Sequence, residues 1–377
     1  MNEKEVGEIR RRIRPDKNSI PCVLGCCVNE KGEIVSQFRQ SLAIMQEDEL
    51  EKLLTLLRKT LSGGIGKNLM DLSFSTQQVA DSDEHRLLMA LRKSALEDPE
   101  VVTAFFEKTA ASLTMEGNYL ILLARDVYDV PYRAKDGERL EDASEEVFPY
   151  LLCGICPVKT TKPALGYYLS DNEFRTCDID WLVAPPEAGF LFPAFDDRSS
   201  NIYNALYYSR NTGEIHPELI EGLFNVEPPM PAAVQKEAFQ EILSEALSEE
   251  CSYDVIQGVD EQLREMVAEH KANHVEEPLQ VSRQAVVGIL EDCGVSEERV
   301  EAFDGRYREV FGEEEGLSPR NLVDSTRVTL TTPGISVQVK PECSRLVETK
   351  YIDGAKYILI RVEEGVEVNG IPVKFQK

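Results

Sequence analysis

Val147-Phe148-Pro149-Tyr150-Leu151-Leu152-Cys153-Gly154-Ile155-Cys156-Pro157-Val158 is the most apolar run of the chain. Interrupted by Pro149, Gly154 and Pro157, it falls short of a membrane span and reads as a strand. Further strands read at 119–128, 166–169, 181–184 and 205–208, so the middle of the chain is β-rich. The polar 134–145 stretch between the first two strands reads as a surface loop.

On the N-terminal side the helical period takes over. Asn2 with Glu5 makes a capping pair, and Val6, Ile9 and Ile13 form one stripe over 2–14, closed by Pro15. Segments 20–28 and 33–38 read as strands around Asn29-Glu30-Lys31-Gly32, and 69–74 as a short extended piece. Leu50, Leu53, Leu54, Leu57 and Leu61 mark a helix stopped by Gly63-Gly64. Asp81 can cap a helix carrying Leu87, Leu88 and Leu91, and Asp98-Pro99 opens another carrying Val102, Phe105 and Phe106.

On the C-terminal side Pro228-Pro229-Met230-Pro231 stiffens the backbone and stops both helix and sheet, which makes it the domain boundary. Helices follow near 232–247, 258–274, 282–293 and 296–311, with Ser282 and Ser296 as N-caps and Gly294 as a stop. Residues 231–316 hold 7 Lys/Arg against 22 Asp/Glu, so 7 − 22 = −15. The tail from 327 to 375 reads as β, with hairpin turns at Asp353-Gly354 and Asn369-Gly370. The expected class is α+β: a mixed N-terminal domain at 1–226 and a C-terminal domain at 231–377, acidic helices at 231–316 and a β-rich tail at 317–377.

Composition narrows the function. A length of 377 residues suits two or three domains, and 42% hydrophobic with 29% charged residues is globular. The net charge of −26 makes phosphate backbones and anionic lipid poor default partners. No apolar stretch follows Met1-Asn2-Glu3-Lys4-Glu5, and the nine cysteines are an odd number, so reduced thiols and a cytoplasmic location are expected.

Catalytic motifs fail on spacing or context. Leu61-Ser62-Gly63-Gly64-Ile65-Gly66-Lys67-Asn68 has Leu61 where a phosphate loop needs glycine and Asn68 where it needs Ser or Thr. A glycine turn is the plainer reading, with a weak anion nest near Lys67 as the alternative. Cys153 and Cys156 are the only C-x-x-C pair, but positions three apart on a strand face opposite sides, so buried structural thiols outrank zinc or redox chemistry. His270 and His274 have metal-pair spacing with Lys271 where a zinc protease carries glutamate, so packing or capping is preferred. His85 and His216 stand alone, without a nucleophile elbow. Arg10, Arg11, Arg12 and Arg14 read as a solvated helix end, or otherwise as a phosphate contact.

The most site-like stretch is Pro185-Pro186-Glu187-Ala188-Gly189-Phe190-Leu191-Phe192-Pro193-Ala194-Phe195-Asp196-Asp197-Arg198-Ser199-Ser200-Asn201. Its phenylalanines can wall a pocket, and Glu187, Asp196, Asp197, Arg198 and Asn201 are the candidate ligand-binding residues. The plainer alternative is a packed loop in which Arg198 pairs with an aspartate.

The strings Leu152-Cys153-Gly154-Ile155-Cys156-Pro157-Val158, Gly189-Phe190-Leu191-Phe192-Pro193-Ala194-Phe195 and Val368-Asn369-Gly370-Ile371-Pro372-Val373 resemble an uncharacterised, clostridial-type bacterial family known only as a domain of unknown function. The resemblance implies a bacterial cytoplasmic protein and no catalytic residue. A likeness of arrangement alone points to nucleoid-associated proteins. The first reading is therefore a non-enzymatic interaction or regulatory protein with a protein partner. A small-molecule enzyme around 187–201 and a nucleic-acid-associated protein follow. The choice between enzyme and non-enzyme stays open, no membrane partner is expected, and no cofactor or metal is expected.

Overall fold

The computed structural model describes residues 1–133, 139–160, 164–177, 181–273, 279–313, 316–324, 327–362, 365–368 and 371–374. The chain divides into two compact units, Met1–Pro231 and Ala232–Lys377.

In the first unit the strands are β1 (Cys22–Val28), β2 (Ile34–Ser41), β3 (Leu69–Ser73), β4 (Tyr119–Arg133), β5 (Arg139–Thr160), β6 (Ala164–Tyr168), β7 (Glu173–Cys177), β8 (Trp181–Val183), β9 (Ala188–Phe192), β10 (Ala194–Asp196), β11 (Ser199–Asn201) and β12 (Asn204–Ser209). One antiparallel sheet runs in the order β2-β1-β4-β5-β9-β12-β3, with β8 added to β5; β6-β7 and β10-β11 form separate two-stranded ladders. The helices are α1 (Glu3–Arg12), α2 (Glu47–Lys59), α3 (Thr76–Asp81), α4 (Asp83–Lys93), α5 (Pro99–Ala111) and α6 (Pro217–Phe224).

Side chains alternate across each strand, so the sheet feeds two cores. On one face Leu88 and Leu91 of α4, Phe105 and Phe106 of α5, and Leu219 and Leu223 of α6 pack on Leu123, Cys153, Phe190 and Phe192. On the other, Val6 and Ile9 of α1 and Leu54 and Leu57 of α2 pack on Leu122, Leu152, Cys156 and Leu191. An antiparallel sheet commonly keeps one wet face and shows polar alternation. Here helices cover both faces, and β1 and β9 are buried at every position. That double cover is why the 147–158 run is apolar without alternation.

Helix starts follow local chemistry. The α1 capping box forms, with the Asn2 side chain accepting from the Lys4 and Glu5 amides and Glu5 accepting from the Asn2 amide. Asp98 caps α5 ahead of Pro99. Asp81 does not cap α4: it ends α3, and Ser82 takes the role, accepting from the His85 amide. The 134–145 stretch is also not a loop where it is described. β4 and β5 stay paired out to Tyr132↔Leu140 and Arg133↔Arg139, past irregularities at Pro131. A ladder already in register continues on backbone hydrogen bonds alone, so polar side chains do not end it.

The second unit holds α7 (Ala232–Leu247), α8 (Tyr253–Ala272), α9 (Arg283–Asp292), α10 (Glu297–Phe311) and α11 (Pro319–Leu322). Phe239, Phe303, Tyr307 and Phe311 form an aromatic row inside it. Hairpins β13 (Val328–Thr332) with β14 (Ile335–Val339), β15 (Val347–Ile352) with β16 (Ala355–Ile360), and β17 (Val366–Val368) with β18 (Ile371–Val373) follow. Asp353 and Gly354 turn at φ 49° and 80°, the mirror-image turn that suits a two-residue hairpin. Asn369-Gly370 lies outside the described residues.

Candidate functional site

Past Glu187 the 185–201 segment is mostly strand rather than loop, with β9, β10 and β11 interrupted at Pro193 and at the 197–198 turn. Phe190 and Phe192, two apart, enter one core, where Phe190 meets Phe224 at 5.1 Å and Phe192 meets Phe74 at 6.0 Å between ring centroids. Phe195, three further on past Pro193, falls on the opposite face against Phe148 at 4.8 Å. The three rings back the sheet from both sides and wall no common cleft.

The polar residues divide. Asp197 and Arg198 are the two central residues of the β10–β11 turn, both at positive φ (50° and 59°). This backbone returns the chain under α1, whose first turns are acidic. Asp196 Oδ1 lies 2.7 Å from the Met1 ammonium, and its Oδ2 accepts from Asn201 Nδ2 at 2.7 Å. Asp71 on β3 reaches the same ammonium at 3.4 Å. The Glu5 carboxylate, buried between α1 and the turn, accepts backbone hydrogen bonds from Asn2 and Asp197. Burial raises the pKa of Glu5 and Asp71. For the ammonium, burial disfavours the charge, but Asp71 and Asp196 outweigh it and the pKa rises. Asp197 itself is exposed.

Arg198 turns the other way. Its Nη2 donates to the Pro131 carbonyl at 2.9 Å and to Glu8 Oε1 at 3.3 Å. Glu187 is not brought to this group; it stands by Arg210 at 3.8 Å.

Glu8 opens onto a set of residues that the sequence did not announce. Tyr128 Oη donates to Glu8 at 2.6 Å, and the Arg12 guanidinium lies 4.3 Å over the Tyr128 ring. Arg12 also donates to the Val127 carbonyl at 3.1 Å and pairs with Asp126 at 3.5 Å. Asp126 is buried and accepts from Tyr150 Oη at 2.7 Å and the Ser19 amide at 2.9 Å. Burial, then Glu8, push the Tyr128 phenol up to about 12, and burial with Asp126 lifts that of Tyr150 far above the ordinary value. Two signals in the sequence pointed here. Glu8 and Arg12 stand one helical turn apart beside the α1 stripe, and Asp126 falls in phase with the core-facing Leu122 and Ala124 of its strand.

The remaining motifs settle into structure. In the glycine-rich 61–68 turn the amides of Gly66, Lys67, Asn68 and Leu69 all donate to carbonyls of the same turn, so the amides beside Lys67 are not turned out toward an anion. Strand β5 runs straight through Gly154, pairing with both Leu122 and Gly189. Cys153 and Cys156 therefore sit in opposite cores and cannot share an ion. Burial raises the Cys153 thiol strongly and the Cys156 thiol to about 12. His85 is buried, with Nε2 2.9 Å from the Ile202 carbonyl and its ring against Phe74. His216 lies at the start of α6 beside Glu218, His270 is on α8, and His274 lies outside the described residues. Arg10, Arg11 and Arg14 are exposed at the end of α1, whereas Arg12 is pinned as described. Among the described residues no group of three or more His, Cys, Asp or Glu is placed to hold a metal ion. Among them, too, no helix is long and apolar enough to cross a membrane.

No curated protein matches the chain. A family model does, over residues 1–371, nearly the whole length. The chain belongs to the family defined by a domain of unknown function (DUF4317).

Proposed function

We propose that the protein works through interaction rather than catalysis. One observation carries this reading: the hairpin of β6 and β7 holds Leu165, Tyr167 and Phe174 out in solvent, while Asp196, Arg198 and Asn201, first suspected of binding a ligand, contact the protein itself. Exposed contiguous apolar surface on a chain with a charge of −26 marks a place where another surface belongs. A cytoplasmic location goes with this reading; the eight cysteines whose side chains are described are free thiols, as suits a reducing compartment. The test is the size of the protein in extracts of the cells that make it. Wild type should elute in an assembly that Phe174→Glu dissolves. Elution of both at the mass of a lone chain would defeat the reading.

A small-molecule site at 187–201 keeps one supporting observation. The buried Nε and Nη1 of Arg198 have no partner among the described residues, so this guanidinium has donors to spare for a carboxylate or phosphate. Isothermal titration with inorganic phosphate against wild type and Arg198→Ala tests it; heat only in wild type supports a site, and none in either removes it.

A further inference from the structure

We infer that the β6–β7 hairpin is the self-association arm of this protein, its apolar face packing on the same face of a second copy. The inference rests on the interaction reading above and names the partner.

The arm is a two-stranded ladder of its own, distinct from the pairing of β5 with β8. β5 and β8 pair as Val158↔Val183, Lys159↔Leu182 and Thr160↔Trp181. β6 and β7 pair from Ala164↔Cys177 to Tyr168↔Glu173.

Strand alternation sorts the arm into two unlike faces. Leu165, Tyr167, Phe174 and Thr176 share one, with the Tyr167 and Phe174 rings 5.3 Å apart. The other carries Tyr168, Glu173 and Arg175, where Arg175 pairs with Asp171 and Glu173 and lies over the Tyr168 ring. Charge on the arm is thus gathered on one side and largely neutralised there. The apolar side holds no charged residue, yet Leu165 is 72% exposed, Tyr167 51%, Phe174 69%, and Leu169 at the tip 82%. A lone two-stranded hairpin is marginal in water and wants its face covered.

Three considerations choose a second copy as the cover. Area is the first. At about 200 Å² per large apolar side chain, those exposed fractions leave roughly 550 Å² per arm, or about 1,100 Å² for a pair, which clears the ~1,000 Å² floor of a specific interface. Charge is the second. A basic partner would find no carboxylate on this face to pair with, and an anionic lipid surface is repelled by a molecule of charge −26. Two copies of this face bury no charge against each other. Symmetry is the third: one self-complementary patch is all that a two-fold contact requires.

The test uses the full chain of 42.4 kDa in sedimentation velocity at micromolar concentrations. Wild type should run at twice the chain mass. Phe174→Glu places two carboxylates against each other in the contact and should weaken the dimer at least about 100-fold, which leaves monomer. Tyr168→Ser, on the opposite face, should remain dimeric. Because Phe174 is exposed, Phe174→Glu should keep the wild-type circular dichroism, so loss of the dimer cannot be put down to unfolding. Wild type that stays at one chain mass, or Phe174→Glu that stays dimeric, overturns the inference. Monomeric pure protein that nevertheless loses a cellular assembly through Phe174→Glu would overturn self-association and leave the interaction reading standing. Monomeric protein that floats with phosphatidylcholine vesicles through this residue would overturn it in favour of a membrane.

Discussion

Asp126 shows what a single buried carboxylate can organise. It is almost fully enclosed, and it holds Tyr150 from its own sheet, Arg12 from α1 and the backbone that links α1 to β1 through Ser19. Removing one member of such a group strands the others without water. Asp126→Ala should therefore cost roughly 3 kcal/mol in guanidinium unfolding, and Asp126→Asn less, because an amide oxygen still accepts from Tyr150. A change below about 1 kcal/mol for the alanine variant would show that the network is not structural. Asp197 makes the contrast. It is exposed, and its φ of 50° is one that an L-residue adopts at a cost. Asp197→Gly should keep the turn and raise stability by about 0.5 kcal/mol in the same assay, whereas a loss would mean that its side chain holds something. The candidate residues were legible as chemical types but not as partners. Asp196 looked available because its ammonium partner is Met1, and Arg198 because Glu8 lies 190 positions away. No local pattern encodes pairings of that separation.

At the scale of elements, period and caps were the dependable signals: the leucine stripe of α2, the Asn2–Glu5 box and the Asp98-Pro99 start all form. What the period could not reveal was how closely elements approach. Gly154 and Gly189 pair across β5 and β9, directly beneath Thr60 at the end of α2. A Cβ at Gly189 would stand 2.4 Å from the Cys153 carbonyl and 2.9 Å from the Thr60 methyl; one at Gly154 would stand 3.1 Å from that methyl and clear of backbone. The two positions should therefore differ. Gly189→Ala meets backbone that cannot yield and should cost about 3 kcal/mol or more. Gly154→Ala meets only a methyl, should cost about 1 kcal/mol, and should be rescued by Thr60→Ser, which deletes the methyl and keeps the hydroxyl bonded to the Leu57 carbonyl at 2.6 Å. Equal costs, or a rescue of Gly189→Ala by Thr60→Ser, would show that α2 rather than the neighbouring strand sets the spacing. In the sequence these glycines were lost inside motifs read for cysteine and phenylalanine. Their role depends on a helix 94 and 129 positions earlier.

The chain is acidic, with a net charge of −26, and its proline cluster stands where the two units divide. Limited proteolysis should cut first between about 225 and 232 and leave two folded pieces; first cuts elsewhere would move the boundary. The doubly covered sheet of the first unit also sets a limit in pH. The sheet of the first unit buries protonated phenols and thiols: Tyr119 and Tyr128 are held up to about 12, Tyr150 well above its ordinary value, Cys26 to about 11 and Cys156 to about 12, each chiefly by burial. In the unfolded chain these groups lose their protons near their ordinary values, about 10 for tyrosine and 8.5 for cysteine. Between those values and the raised ones the folded protein binds more protons than the unfolded, so stability must fall as pH rises. Their contribution is intact below about pH 8.5 and disappears progressively up to about pH 12. Guanidinium midpoints should accordingly be level from about pH 7 to 8 and drop steeply from about pH 9.5. Beyond the signal of the exposed tyrosines such as Tyr167 and Tyr351, the tyrosinate absorbance at 295 nm should rise together with the loss of far-ultraviolet dichroism, rather than ahead of it, because the buried phenols ionise only once the sheet opens. A midpoint that stays level to about pH 11, or tyrosinate appearing in full while the dichroism is unchanged, would mean that the phenols reach water in the folded state and that the sheet is not closed on both faces.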